Sequence, residues 1–390
     1  MKWIIVENKN IYINNDSIYN KSLRETVIES LIKTGFTIGE DGKLIVPNDK
    51  EYYRKVNKTA IDFLRNKKSD LIFKDDLFID KYMIDGINLN VRKIDPILVE
   101  VDDKEKADLF NWIKLHWSVP ISSGYGRRLR YIVKDGNNEA VIGIIGLGDP
   151  VFALHDRELY IGWSYNVKKE KLKHLMDAFV LGAVPPYSAI LGGKLVAALI
   201  SSPLLRERFC EKYNGSVSRI SGKVFDGRLA GITTASALGK SSLYDRIRIP
   251  NGTEFLHVGW TKGSGEFQFI NGVYDELYKI GKSAISWKKN PSWGSGIRNR
   301  RTIIQSALRE IGLPVNLTYH NVKREIFFVP LGTNSRKFLR GEDENIDYYK
   351  LSHESISEFM LKRWVIPRSE RDARYREFNK WDYGLASLLK

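Results

Sequence analysis

The spacing of hydrophobic and polar positions changes along the chain, and each change predicts a different kind of element. Over the first hundred residues the period is helical. Ser22 caps a run with apolar residues at Leu23, Val27, Ile28, Leu31 and Ile32, three and four apart, that stops at Gly35. Residues 49–64 and 70–78 read as further helical pieces with polar breaks between them, and 3–6 with 11–13 flank a polar turn as a short first hairpin. Beyond Asp95-Pro96 short apolar runs take over. Segments 97–101, 129–133 and 140–147 read as strands, the last two joined through Asn137-Asn138 as an antiparallel hairpin, with a helix at 108–116. Strands at 160–163, 178–184, 229–234, 254–260 and 325–329 alternate with helices at 169–175, 195–200, 203–213, 241–246, 271–280, 301–311 and from 352 onward. The order predicts an α+β protein. A mainly helical region over 1–95 precedes a mixed, largely antiparallel sheet flanked by helices over 96–270, and a basic α/β extension follows over 271–390.

One stretch combines several signals. The apolar run 178–184 stops at Pro185-Pro186, because proline cannot continue a central strand, and Leu191-Gly192-Gly193-Lys194 then opens a helical run. Glycines let a backbone approach a ligand, and a helix start leaves N–H groups free for an anion, so this turn is a candidate phosphate or pyrophosphate cradle. A plain buried strand and helix with a tight connection has the same pattern. The two prolines and Lys194 interrupt the run well before the twenty or so apolar residues that a membrane span needs, so no membrane is expected.

A chain of 390 residues is long enough for two or three domains. Its single cysteine, Cys210, excludes an internal disulfide and a cysteine-rich zinc site. The N-terminus has no signal-peptide pattern, and both features fit a reducing cytoplasm. The six histidines show no metal-ligand spacing, so no metal site is expected. Charge is uneven. Residues 1–120 hold 20 basic and 20 acidic side chains, whereas 281–340 hold 12 basic and 2 acidic, a net of +10 out of +15 for the whole chain. There Trp287-Lys288-Lys289 and Trp293 with Arg298, Arg300 and Arg301 interleave flat rings and guanidinium groups, and Lys323-Arg324 extends the track. Arg127, Arg128 and Arg130 beside Tyr125 form a second cluster. This composition points to nucleic acid, DNA above all. A solvated face or the docking face of an acidic partner protein is the competing reading. Asp149, after a Gly-Leu-Gly turn, is a candidate proton acceptor and equally an ordinary turn aspartate.

The ordered blocks GYGRRLRYIV, VIGIIGLGDPVF, IGWS, MDAFVLGAVPPYSAILGGKLVAALISS, ITTASALGKSSLYDRI, HVGWTKGSGEF, VKREIFFVPL and RWVIPRSERDARYREF resemble the DruA family of the Druantia anti-phage defence system, from roughly residue 20 to residue 380. The resemblance implies a bacterial or archaeal defence protein acting beside a helicase-like partner. The middle of the chain also resembles the GNAT acyltransferase fold in the form used by the Mom DNA-modifying proteins. That likeness implies acyl-CoA as cofactor, with Leu191, Gly192, Gly193 and Lys194 holding its pyrophosphate and Tyr244 protonating the leaving thiolate. The usual Gln/Arg-x-x-Gly-x-Gly/Ala turn is absent: Ala189 replaces the Gln/Arg and Lys194 the last Gly/Ala. Three functions are thus expected in order: a DNA-binding defence protein using its basic half, a transferase that modifies a nucleobase or protein amine, and a non-catalytic scaffold of a defence complex.

Overall fold

The computed structural model describes residues 15–122, 124, 126–217, 222–285 and 297–388. The hairpin expected at 3–13 lies outside them. The chain divides into two units. The first comprises Met1–Pro47, Lys55–Ala60 and Ser264–Asn321, the second Asn48–Arg54, Ile61–Gly263 and Val322–Lys390.

In the first unit the helix Asn15–Thr34 ends at Gly35, whose φ of 108° suits glycine. A short antiparallel pair follows, β1 (Thr37–Ile38) and β2 (Leu44–Ile45). The helices Tyr274–Ala284 and Ile297–Glu310 pack closely because Gly281 has no side chain: a Cβ there would lie 2.0 Å from the carbonyl oxygen of Ile303. Ile303, Ile304, Ala307 and Leu308 form the buried stripe of the second helix.

The second unit is built on a seven-stranded sheet: β3 (Pro96–Glu100), β4 (Arg128–Asp135), β5 (Val141–Gly148), β6 (Leu175–Ala183), β7 (Gly231–Ala235), β8 (Leu256–Trp260) and β9 (Glu325–Pro330), in the order β3-β4-β5-β6-β7-β9-β8. Neighbours run antiparallel except β6 and β7, which are parallel. Their pairing runs from Leu175↔Gly231 to Ala178↔Thr234, and β6 continues past it to Ala183. The strand β5 is buried at every position, which explains its near-continuous apolar and glycine sequence. On one face Leu129, Tyr131, Leu147, Met176 and Ala178 join the core packed by the helices Gly192–Ala198 and Pro203–Tyr213. On the other, Ile132, Ile144 and Val180 meet the helix Lys104–Lys114, and Leu175 and Phe328 meet Ile161 from the helix His155–Ile161.

Two expected elements differ. Residues 160–163 are not a strand: Ile161 ends a helix that stops at Gly162 in the left-handed region, φ 77°. The apolar cluster at 159–161 belongs to an amphipathic turn, with Leu159 67 % exposed and Ile161 fully buried. Residues 241–246 form turns rather than a helix. The Ser241 hydroxyl accepts from the N–H groups of Leu243 (3.1 Å) and Tyr244 (3.0 Å), and Arg246 takes a φ of 68°. A serine side chain has taken the donors that a helix would have ordered.

Candidate functional site

The helix Lys104–Lys114 is capped by Asp103, which accepts from the Lys106 N–H at 2.8 Å, and it buries Leu109, Phe110, Trp112 and Ile113. Lys114 closes its last turn. In β4, side chains alternate: Leu129, Tyr131 and Val133 enter one core, so Arg128 and Arg130 share the opposite face with Ile132, toward that helix. The Arg130 guanidinium lies 5.8 Å from the Phe110 ring. Lys114 donates to the Ser122 carbonyl at 3.3 Å. Burial pushes the Lys114 ammonium down to about 8, with Arg130, Lys68 and Arg128 adding to the effect. Burial, then Arg128, also lowers Arg130. Among the described residues the charged groups acting on Lys114 are the cations Arg130, Lys68 and Arg128, so the fold brings these four side chains near one another.

Arg127 departs from its neighbours. Its Nε donates to Asp149 Oδ1 at 2.7 Å and its backbone N–H to Asp149 Oδ2 at 3.1 Å. Its guanidinium sits 5.1 Å from the rings of Phe209 and Phe225 and 5.7 Å from that of Tyr213. Arg127 is therefore an inward clamp rather than part of the basic face, and Asp149 is its anchor. Strand alternation sends consecutive arginines to opposite faces, so three adjacent cations in sequence do not make three on one surface.

The expected pyrophosphate turn is filled by the chain itself. Leu191 adopts the left-handed conformation, φ 63°, ahead of a helix of 7 residues, and Gly192, Gly193 and Lys194 are all buried. A Cβ on Gly192 would lie 2.6 Å from the Tyr187 carbonyl oxygen, and one on Gly193 2.8 Å from the Leu243 side chain. Lys194 Nζ donates to the carbonyls of Leu243 (2.6 Å) and Asp245 (2.7 Å) and lies 4.7 Å from the Trp364 ring. Burial lowers its pKa to about 8. These residues do not fit a pyrophosphate: the glycines serve backbone packing, and the ammonium holds a loop. Tyr244, 5 % exposed, stacks on Phe255 at 5.5 Å and meets Phe327 edge-on at 5.3 Å. Burial pushes its phenol up to about 12 despite a hydrogen bond with the Thr234 side chain.

Lys288, Lys289 and Trp293 lie outside the described residues, as does the Arg298 side chain. In the first unit Arg300 is exposed, while Arg301 donates to Ser264 Oγ at 3.2 Å and lies 5.3 Å over Tyr319. Glu266 is raised by burial against the pull of both arginines. In the second unit Lys323 and Arg324 are both exposed ahead of β9, and alternation turns them to opposite faces. Lys68 and Lys114 were not singled out in the sequence. The available signal was a lysine ending the apolar-faced helix, one turn beyond buried Phe110.

No helix among the described residues is long and apolar enough to cross a membrane, and none of their His, Cys, Asp or Glu side chains group as a metal set.

Fold and site together define a class: an α+β protein whose mixed, largely antiparallel sheet displays cations beside a packed helix. The chain belongs to the DruA family, described as Druantia protein DruA, which matches residues 47–341. It is 36% identical over 376 residues to the Druantia protein DruA of Escherichia coli (strain UMEA 4076-1), covering 93% of this chain and 91% of that protein. No solved structure matches it.

Proposed function

We propose that this chain is a nucleic-acid-binding anti-phage defence protein of the DruA type, and that the face formed by Lys68, Lys114, Arg128 and Arg130 holds a phosphate backbone. One observation carries the reading: Lys114 sits in a partly buried position where, among the described residues, the charges acting on it are positive. Gathering like charges in a low-dielectric setting is unfavourable, and a polyanion relieves it. A merely solvated face would let such side chains splay apart, whereas Arg130 is held against Phe110. The exposed Arg300 of the first unit, and the sequence excess of +10 over 281–340, favour the same kind of ligand. Membership of the family supports partners within the same defence system, a helicase-like protein among them. The transferase alternative loses its cofactor turn, since Gly192, Gly193 and Lys194 are already engaged.

The test is the affinity of the full chain for unrelated DNA oligonucleotides, compared with a variant carrying Lys114→Ala, Arg128→Ala and Arg130→Ala. Removing phosphate ligands should weaken binding on the order of a hundredfold, equally across sequences. Unchanged affinity removes this face from the interface.

A further inference from the structure

The sheet face that carries Arg128 and Arg130 also carries a carboxylate in an otherwise apolar strand, Asp177 of β6. Register places it in a row: Arg128↔Gly148, Gly148↔Asp177, Asp177↔Thr233 and Thr233↔Phe328. Residues directly opposite one another share a face, so Arg128, Asp177 and Thr233 line one side of the sheet, with a glycine in place of a side chain between the first two. Arg324 joins that face, four residues before Phe328. Phe179, two residues along β6, lies over β5, where a Cβ on Gly146 would sit 2.5 Å from its Cζ.

Thr233 Oγ1 donates to Asp177 Oδ1 at 2.8 Å, which leaves Oδ2 as an acceptor. Burial raises the Asp177 pKa, while the Thr233 hydrogen bond, Arg157 and Arg324 pull the other way. Arg157 is fully buried and pairs with Glu158 at 2.6 Å, and its Nε and Nη1 have no partner among the described residues. Arg324 is exposed, and the Asp177 carboxylate favours its charged form. Solvent reaches both Asp177 and Arg324. Both side chains are thus open to a ligand on this face of the sheet.

We propose that this stretch of the sheet face binds a single nucleotide of the nucleic acid, with Asp177 Oδ2 accepting from the exocyclic amine of the base, Arg324 holding a phosphate and Phe179 flanking the ring. The assignment rests on the nucleic-acid reading above and names what that ligand does at the sheet. A small anion alone would meet the Asp177 carboxylate, and a small amine alone would meet the Arg324 guanidinium. A nucleotide satisfies both, since it carries N–H donors on a flat base and an anionic phosphate a few ångströms away. The base must come from a single strand or leave the duplex stack to reach such a site.

The experiment is equilibrium binding of the four deoxynucleoside monophosphates to the purified full chain at low salt, with DNA affinity and thermal melts on the same preparations. The bases with an exocyclic amine, in dAMP, dCMP and dGMP, are expected to bind about tenfold tighter than dTMP, which has none. Asp177→Asn should flatten that preference, and Arg324→Ala should weaken all four about tenfold. Absence of saturable binding at millimolar nucleotide, or an amine preference that survives Asp177→Asn, overturns the proposal. If Asp177→Asn does not fold, the exposed Arg324→Ala variant decides, and equal binding to wild type overturns it. DNA affinity without mononucleotide preference sinks the nucleotide site and spares the basic face. Mononucleotide preference without DNA affinity upholds the nucleotide site and sinks the face.

Discussion

Lys114 is held where its ammonium titrates near pH 8, below its ordinary range around 10.5, because burial and three neighbouring cations disfavour its charge. A bound phosphate reverses that balance and raises the pKa, so binding takes up a proton once the free group has begun to lose its own. The sign follows: affinity for DNA should be flat below pH 7 and fall as pH rises from 7 to 9, by up to about tenfold. Lys114→Arg stays charged across this range and should lose the dependence. A pH profile of binding for the two proteins checks this, and parallel profiles would exclude Lys114 as the titrating group. At this scale the sequence was partly legible. Arg128 and Arg130 stood out as a cluster, yet nothing local separated them from Arg127, whose fate depends on Asp149 and three rings brought from elsewhere. Lys194 looked like a phosphate ligand because its partners, two carbonyls about fifty residues away, leave no mark in the local pattern. Asp177 carries a readable sign, a lone carboxylate within the buried run of β6, but the proline and glycine signals of the turn beyond it are stronger.

Strands and helices whose pattern is local were the easiest to read. The hairpin of β4 and β5 and the helix Pro203–Tyr213 follow from turn residues, apolar runs and an N1 proline. The parallel pairing of β6 with β7 was not legible, since its partners are 56 residues apart (Leu175↔Gly231) and no turn chemistry links them. Short segments failed where two periods coincide, as at 160–163. Helix packing makes a sharper prediction. Gly281 meets the backbone of Ile303 on the helix that carries Arg300 and Arg301, so Gly281→Ala must push the two helices apart. A loss of roughly 1–3 kcal/mol is expected in urea unfolding, against the small gain that alanine brings to an unpacked helix position. Stability equal to or above wild type would mean that the close approach is absent in solution.

The whole molecule carries a formal +15, and its concentration in the later part of the chain was plain from the sequence. Which of those charges share a surface was not, because that is decided by strand alternation and by carboxylates that arrive from distant segments. Acid stability is also a property of the assembled fold. His116 and His174 are both lowered to about 4, chiefly by burial, from an ordinary value of 6.5. The unfolded chain therefore takes up protons first as pH falls. Their contribution is complete above pH 6.5, is lost progressively toward pH 4 and then levels off, at about 3 kcal/mol for each. Thermal melts from pH 7 to 4 should show this decline, and His174→Gln should make it shallower. An unchanged slope would assign acid sensitivity to other groups.

The most direct measurement for the central claim is a salt series of DNA binding, followed by fluorescence anisotropy, for the wild-type chain and the Lys114, Arg128 and Arg130 alanine variant. Binding by a phosphate-holding face predicts that log affinity falls steeply and linearly with log salt. The variant slope should be shallower by about 0.9 for each phosphate it no longer neutralises on a duplex, or about 0.7 on a single strand. A wild-type chain that fails to bind at low salt, or a variant with the wild-type slope, would contradict it.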